Sequence, residues 1–255
     1  MKSNSFNLEG KVALVTGSGT GIGRAIAIKL AEHGACVGIH YNTSYQEALQ
    51  TLEAIKSMNR KAILLQADLT CEQQANKIVD KIVAEFGKLD ILVNNAGSPV
   101  QRSKIEECPL TLWNQVFNVN MTSAFMVTKR AIPHLRKTGK GSIVNIISLS
   151  VQTGGANGAG PYAAAKGALL VFTRTLAREL APEIRTNAVC PGVIETRHHE
   201  IFSTPERMQQ YKEETPMKRN GIPEEVANAV VYLVSDAASF TNGALIDVNG
   251  GRFLR

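Results

Sequence analysis

Lys11-Val12-Ala13-Leu14-Val15-Thr16-Gly17-Ser18-Gly19-Thr20-Gly21-Ile22-Gly23 joins a short apolar run to a turn in which every second residue is glycine. The run from Lys11 to Thr16 is rich in β-branched side chains and reads as a buried strand. Beyond the turn, Arg24 to His33 has helical periodicity and stops at Gly34, a residue suited to the left-handed position just past a helix end. Ala35 to Tyr41 then reads as a second strand, which completes a βαβ unit. Glycines let the backbone turn sharply and approach a pyrophosphate, while the helix N-terminus presents free N–H groups and a partial positive charge. Gly17, Ser18, Gly19, Thr20, Gly21, Ile22 and Gly23 are therefore the candidate phosphate cradle of a dinucleotide site.

The remainder of the chain continues the alternation. Further strands are expected near 61–66, 89–93, 141–147, 184–189 and 244–248, with helical patterns between them. This predicts an α/β fold: one doubly wound parallel sheet of about seven strands, covered by helices on both faces. A chain of 255 residues with 44% hydrophobic content suits a single domain over 1–255, with a flexible N-terminus at about 1–8. In such a sheet a ligand lies outside the carboxyl ends of the strands, where Gly17, Tyr41, Asp68, Asn94, Ser148 and Gly192 all fall.

Composition excludes several other classes. The apolar runs are strand-length and the N-terminus lacks an apolar signal core, so neither a membrane span nor a secretory signal is expected. Cys36, Cys71, Cys108 and Cys190 are widely spaced and read as reduced cytoplasmic thiols, not as a disulfide framework or metal site. The net charge of +6 is not gathered into a run, and nucleic-acid recognition motifs are absent. His198 and His199 have no third ligand at suitable spacing, so no metal site is expected.

Tyr162-Ala163-Ala164-Ala165-Lys166 places a phenol and an ammonium on one face of a helix. An unperturbed tyrosine titrates near pH 10, and a nearby cation favours its phenolate. The pair is thus a candidate general acid with Lys166 lowering the tyrosine pKa.

With both motifs placed, the chain resembles the short-chain dehydrogenase/reductase family over nearly its whole length. Asn94-Asn95-Ala96-Gly97, Asn120 in Phe117-Asn118-Val119-Asn120, Ser148 at a strand end, Pro191-Gly192-Val193-Ile194-Glu195-Thr196, Pro223-Glu224-Glu225-Val226-Ala227 and Asn249-Gly250-Gly251 carry the resemblance. It implies a Rossmann fold and hydride transfer between a nicotinamide cofactor and a carbonyl or secondary alcohol. It further implies that Tyr162 exchanges the proton and Ser148 holds the carbonyl oxygen. Lys166 binds the nicotinamide ribose, and Asn120 positions a water in a proton relay. Ser150 is the rival to Ser148, since only Leu149 separates them. Asn95, Ala96 and Gly97 would lie beneath the cofactor. Pro191, Gly192, Ile194 and Thr196 would hold the carboxamide. Asp68 and Leu69 would meet the adenine, with Asp68 as a helix N-cap the alternative. The polar segment 195–218 falls where the family places a substrate lid.

His40-Tyr41-Asn42-Thr43-Ser44 has no carboxylate to repel a 2′-phosphate, and the polar groups of Asn42, Thr43 and Ser44 are able to bond one, so NADP(H) is favoured. NAD(H) stays possible, because Gly19 and Thr20 stand where many NADP-dependent relatives carry a basic residue. The pattern is closest to 3-oxoacyl-[acyl-carrier protein] reductases, which act on acyl thioesters. Sugar and polyol dehydrogenases such as glucose 1-dehydrogenases come second, and a non-catalytic nucleotide sensor third. Ala181-Pro182-Glu183 tells against a carrier protein, since it offers no basic residue to an acidic partner. Trp113, Phe117 and Phe125 read as helix packing. The helices around Phe125–Ala131 and Leu169–Leu176 are apolar around too much of their surface for one sheet face, and the family usually pairs them in a dimer within a homotetramer. Phe240 to Arg255 would add further contacts between subunits.

Overall fold

The computed structural model describes residues 5–155 and 157–254. The chain begins with β1 (Val12–Val15), α1 (Gly21–Glu32), β2 (Cys36–Tyr41), α2 (Tyr45–Ser57), β3 (Ala62–Gln66) and α3 (Glu72–Phe86). β4 (Ile91–Asn94), α4 (Leu110–Phe117), α5 (Ser123–Lys137), β5 (Gly141–Ile146), the short α6 (Ser150–Thr153) and α7 (Gly160–Glu179) follow. β6 (Ile184–Pro191), α8 (Arg197–Phe202), α9 (Pro205–Glu214), α10 (Pro223–Val234) and β7 (Leu245–Val248) complete the order.

The strands form one seven-stranded sheet in the order β3-β2-β1-β4-β5-β6-β7, and every pairing is parallel. The chain winds outward from β1 to β3, then returns to place β4 on the other side of β1. Alternation along β1 divides the core. Ala13 and Val15 pack with Ile26 and Leu30 of α1 and Val226 and Val230 of α10, whereas Val12 and Leu14 face Ile78 and Ile82 of α3 and Val127 of α5. Both faces of the sheet are therefore covered, which is why its strands read as unbroken apolar runs.

Glycine follows α1 where the sequence suggests, and a second glycine closes α3. Gly34 follows α1 with φ +109°, and Gly87 closes α3 with φ +78°, both in the left-handed region. α10 starts with Pro223 in its first turn, and the Glu225 carboxylate accepts from the Ile222 N–H at 2.9 Å. In the stretch expected to be flexible, residues 1–4 lie outside the described residues. Leu8 is buried, and its N–H donates to His33 O at 2.8 Å, so this end of the stretch belongs to the core. No helix among the described residues is long and apolar enough to cross a membrane.

Candidate active site

The reversal of winding between β1 and β4 leaves a cleft of about 570 Å³ at the carboxyl edge of the sheet. Its first wall is the glycine turn. A Cβ at Gly23 would lie 2.2 Å from Gly17 O and 2.4 Å from Asn95 Nδ2, so only glycine lets α1 approach β1 this closely. Gly17 and Gly21 have φ +63° and +54°. Helix α1 begins without a side-chain cap and with no acidic residue in its first turn, so its N-terminal N–H groups face the cleft. This cradle fits the pyrophosphate of a dinucleotide.

Residues from β2 and β4 hold the turn. Gly17 N–H donates to His40 Nδ1 at 2.9 Å, and His40 Nε2 lies 3.1 Å from Ala67 O, which assigns the ring proton to Nε2. Burial pushes the His40 pKa down to about 4, so the ring is neutral. Asn95 Nδ2 donates to Thr16 O at 2.9 Å and Gly17 O at 3.0 Å, and Thr16 Oγ1 accepts from the Asn95 and Ala96 N–H groups at 3.0 Å each. His40 and Thr16 are structural residues of the site that sequence reasoning missed. Their only signal was position at a strand end.

Most of the expected cofactor residues line this cleft: Gly17, Gly19, Thr20, Gly21, Ile22, Gly23, Tyr41, Asn42, Ser44, Asn95, Ala96, Gly97, Pro191, Gly192, Ile194 and Thr196. Four do not. The Ser18 hydroxyl is buried and donates to Val15 O at 2.7 Å while accepting from His40 N–H, so it braces the turn instead of facing a ligand. Thr43 points to solvent, and Leu69 is buried in the core. The Asp68 carboxylate accepts from Thr70 N–H at 2.9 Å and Thr70 Oγ1–H at 2.7 Å, an Asx turn that also lowers its pKa. It is not the helix cap either, since Cys71 holds that position for α3.

The second wall gathers the catalytic candidates. Ser148, just past β5, and Tyr162, in the first turns of α7, line the same cleft, and the Ser148 side chain acts to lower the Tyr162 pKa. Ser148 Oγ also accepts from Ser150 N–H at 3.2 Å, whereas Ser150 Oγ is buried without a hydrogen-bond partner. The structure thus brings Ser148, rather than its rival, to the phenol. Lys166 is buried one helical turn on, and its Nζ donates to Ile146 O at 2.9 Å.

The expected lowering of the tyrosine pKa by Lys166 is corrected by this geometry. Lys166 Nζ stands 5.8 Å from the Tyr162 ring centroid and is engaged by a carbonyl. Burial dominates instead: it pushes the Tyr162 phenol up to about 12, against the opposing effect of the Ser148 side chain. Burial also pushes the Lys166 ammonium down to about 8.

Asn120 lies in a π-helical turn, Asn118–Thr122, between α4 and α5. Its Nδ2 donates to Val116 O at 2.8 Å and Ser98 O at 2.6 Å, and its Oδ1 accepts from Ser98 N–H at 3.1 Å. The amide is therefore held by backbone. A Cβ at Gly97 would meet Asn120 Oδ1 at 2.5 Å and Lys166 Nζ at 2.9 Å, so Gly97 lets these two groups converge.

Residues 17–252, which span both walls of the cleft, match the family model described as enoyl-(acyl carrier protein) reductase. The chain is 44% identical over 251 residues to the 3-oxoacyl-[acyl-carrier-protein] reductase FabG of Aquifex aeolicus, covering 97% of this chain and 99% of that protein. The chain belongs to the short-chain dehydrogenase/reductase family. Glucose 1-dehydrogenase 2 of Bacillus subtilis, another relative, is 37% identical, with 97% of this chain and 96% of that protein covered. Among solved structures, a 7α-hydroxysteroid dehydrogenase complexed with NADH and 7-oxo glycochenodeoxycholic acid superposes with a TM-score of 0.93 at 32% identity, covering 98% of this chain and 97% of that chain. As a family member the protein is an NAD(P)-dependent dehydrogenase or reductase, and its seven-stranded parallel sheet is the family fold.

The cleft also holds residues that no sequence motif flagged. Arg102, Arg197, Arg207, Tyr211 and Arg252 line it. The side chains of His198 and His199 lie outside the described residues. Among the described residues no three His, Cys, Asp or Glu side chains come together as a metal cage.

Proposed function

We propose that the protein is an NADP(H)-preferring carbonyl reductase and secondary-alcohol dehydrogenase, with 3-oxoacyl thioesters as its substrate class. The observation that carries this reading is the Ser148–Tyr162 hydroxyl pair in front of buried Lys166, in the same cleft as an uncapped glycine turn. A nicotinamide held in this cleft would supply a hydride to the carbonyl carbon. Ser148 and Tyr162 donate hydrogen bonds to the carbonyl oxygen, where negative charge develops. Tyr162 is protonated at neutral pH, so it is able to give its proton to that oxygen and release a secondary alcohol. Lys166, charged below about pH 8, binds the ribose. Asn120 orients the path by which the proton is restored from solvent.

NADP(H) is favoured because Tyr41, Asn42, Ser44 and Arg197 meet the ligand at the end of β2 without a carboxylate among the described lining residues. Arg197 also pairs with Glu47 at 2.9 Å, which offsets the nearest acid on α2. The thioester reading follows the relative at 44% identity. A sugar or polyol substrate is the second reading. It is favoured by Glu183 after α7, an acid that an acidic carrier would meet there, paired at 3.8 Å with Arg136. Residues 195–218 would act as the substrate lid, through α8 and α9. The free thiols suit a reducing cytoplasm. A homotetramer would cover the exposed apolar residues on α5, α7 and the C-terminal segment.

A panel at 340 nm tests this directly, pairing NADPH and NADH with 3-oxoacyl thioesters, diketones and sugars. Turnover of the thioesters with a clear NADPH preference is expected. Oxidation of glucose or a polyol in preference to thioester reduction would replace the substrate assignment.

A further inference from the structure

Helix α9 and the C-terminal segment put two guanidiniums over one ring: Arg207 at 4.6 Å and Arg252 at 4.5 Å from the Tyr211 centroid. Arg252 also ion-pairs with Glu214, and Arg207 donates to the neutral Gln210 at 2.6 Å. Arg102 lines the same cleft from the loop after β4, where Ser103 N–H donates to Gly158 O at 2.9 Å and ties that loop to the approach to Tyr162. Three chain segments thus bring cations to the lining of one cleft. Among the described residues that line it there is no Asp or Glu.

Glu214 supplies one counter-charge, to Arg252 directly and to Arg207 through its field, and three like charges around one cleft still favour a further anion. The cofactor's phosphates belong elsewhere, at the glycine turn, which Thr196 and Arg197 adjoin: a Cβ at Gly21 would be 3.5 Å from the Thr196 methyl, and Arg197 pairs with Glu47 of α2. Arg102 stands on the loop tied to Gly158, close in sequence to Tyr162, and Arg207 and Arg252 share the Tyr211 ring. The planar fork of arginine fits the paired oxygens of a carboxylate or phosphate, and stacking on Tyr211 orients it at low entropic cost.

We infer that the substrate carries an oxyanion at the end remote from its reacting carbonyl, held by Arg207 with Arg102 and Arg252. This rests on the carbonyl-reductase reading above and names the chemistry its substrate must have. The oxyanion has two sources, the carboxylate of a small oxo acid and the phosphate of a phosphopantetheine thioester.

Matched pairs that differ by one oxyanion separate them: 4-oxopentanoate against its methyl ester, and acetoacetyl-4′-phosphopantetheine against acetoacetyl-pantetheine. The anionic member of one pair is expected to exceed its neutral twin by tenfold or more in kcat/KM, chiefly through KM. The pair that discriminates identifies the source. In Arg207→Gln, and separately in Arg102→Gln, that ratio is expected to fall towards one. Titration of the enzyme–NADPH complex, read by nucleotide fluorescence, gives the same comparison without turnover. Equal binding and equal kcat/KM within both pairs would overturn the oxyanion site while leaving the reductase reading intact. A wild-type enzyme that binds the anions preferentially yet turns over no carbonyl compound would instead retain the oxyanion site and remove the reductase reading.

Discussion

Tyr162 and Lys166 lie one helical turn apart, yet burial drives their pKa values in opposite directions, the phenol up and the ammonium down. A phenol near 12 is a proton donor at neutral pH, and its removal should stop chemistry without loosening the nucleotide. Tyr162→Phe is expected to lower kcat by on the order of 10²-fold or more with an unchanged NADPH Kd, measured by steady-state rates and fluorescence titration. Lys166 has a pH signature of its own. A ligand that favours the charged amine binds best where that amine is already charged in the free protein, below about pH 8, and weakens as pH rises through that value. NADPH affinity should therefore decline above about pH 8 in the wild type. Lys166→Ala should bind more weakly throughout and lack that inflection; an identical pH profile in both proteins would remove the ribose-binding role.

At the scale of elements, the junction between β2 and the glycine turn depends on a neutral imidazole. His40 accepts from Gly17 N–H and bonds Ala67 O, tying the ends of β1, β2 and β3 together. Its folded pKa of about 4 lies below the unfolded value of 6.5. Above pH 6.5 both states are neutral. Below it the unfolded chain takes up the proton first, so stability is lost as pH falls from 6.5 towards 4. The part lost between about pH 7.5 and pH 5 is about 2 kcal/mol, since each tenfold difference in proton affinity between the two states is worth about 1.4 kcal/mol. Urea unfolding of wild type and His40→Gln at the two pH values should differ by that amount in their acid sensitivity. Equal losses would show that another group carries the effect.

Over the whole molecule, apolar surface remains uncovered. Phe125 is 42% exposed on α5 and Val171 61% on α7, while Phe240 and Leu254 stand out near the C-terminus. Trp113 and Phe117 do pack as expected, stacked at 4.9 Å, and Phe125 meets Phe172 edge-on at 6.2 Å. These side chains are apolar surface that a lone subunit would leave in water. Light scattering at micromolar concentration should give a mass near four chains, and Phe125→Asp with Val171→Asp should lower it. An active monomer would show that these residues serve no interface.

The alternation of apolar runs, the glycine turn and the Tyr162–Lys166 spacing were enough to set the fold and to mark the candidate residues of the cleft, because they are local: strand and helix periods and close backbone approach are written in neighbouring residues. The sense of the Tyr162 pKa shift was not, since desolvation depends on everything packed around a group. Ser18 and Asp68 looked like ligands by position, but their oxygens found nearer partners in the folded chain. Arg102, Arg207 and Arg252 carry no motif, and only the packing of three separate segments brings them into one cleft. Local pattern determined the family and the fold of the chain. The tertiary structure alone decided which charges line the cleft, because a field is summed over residues far apart in sequence.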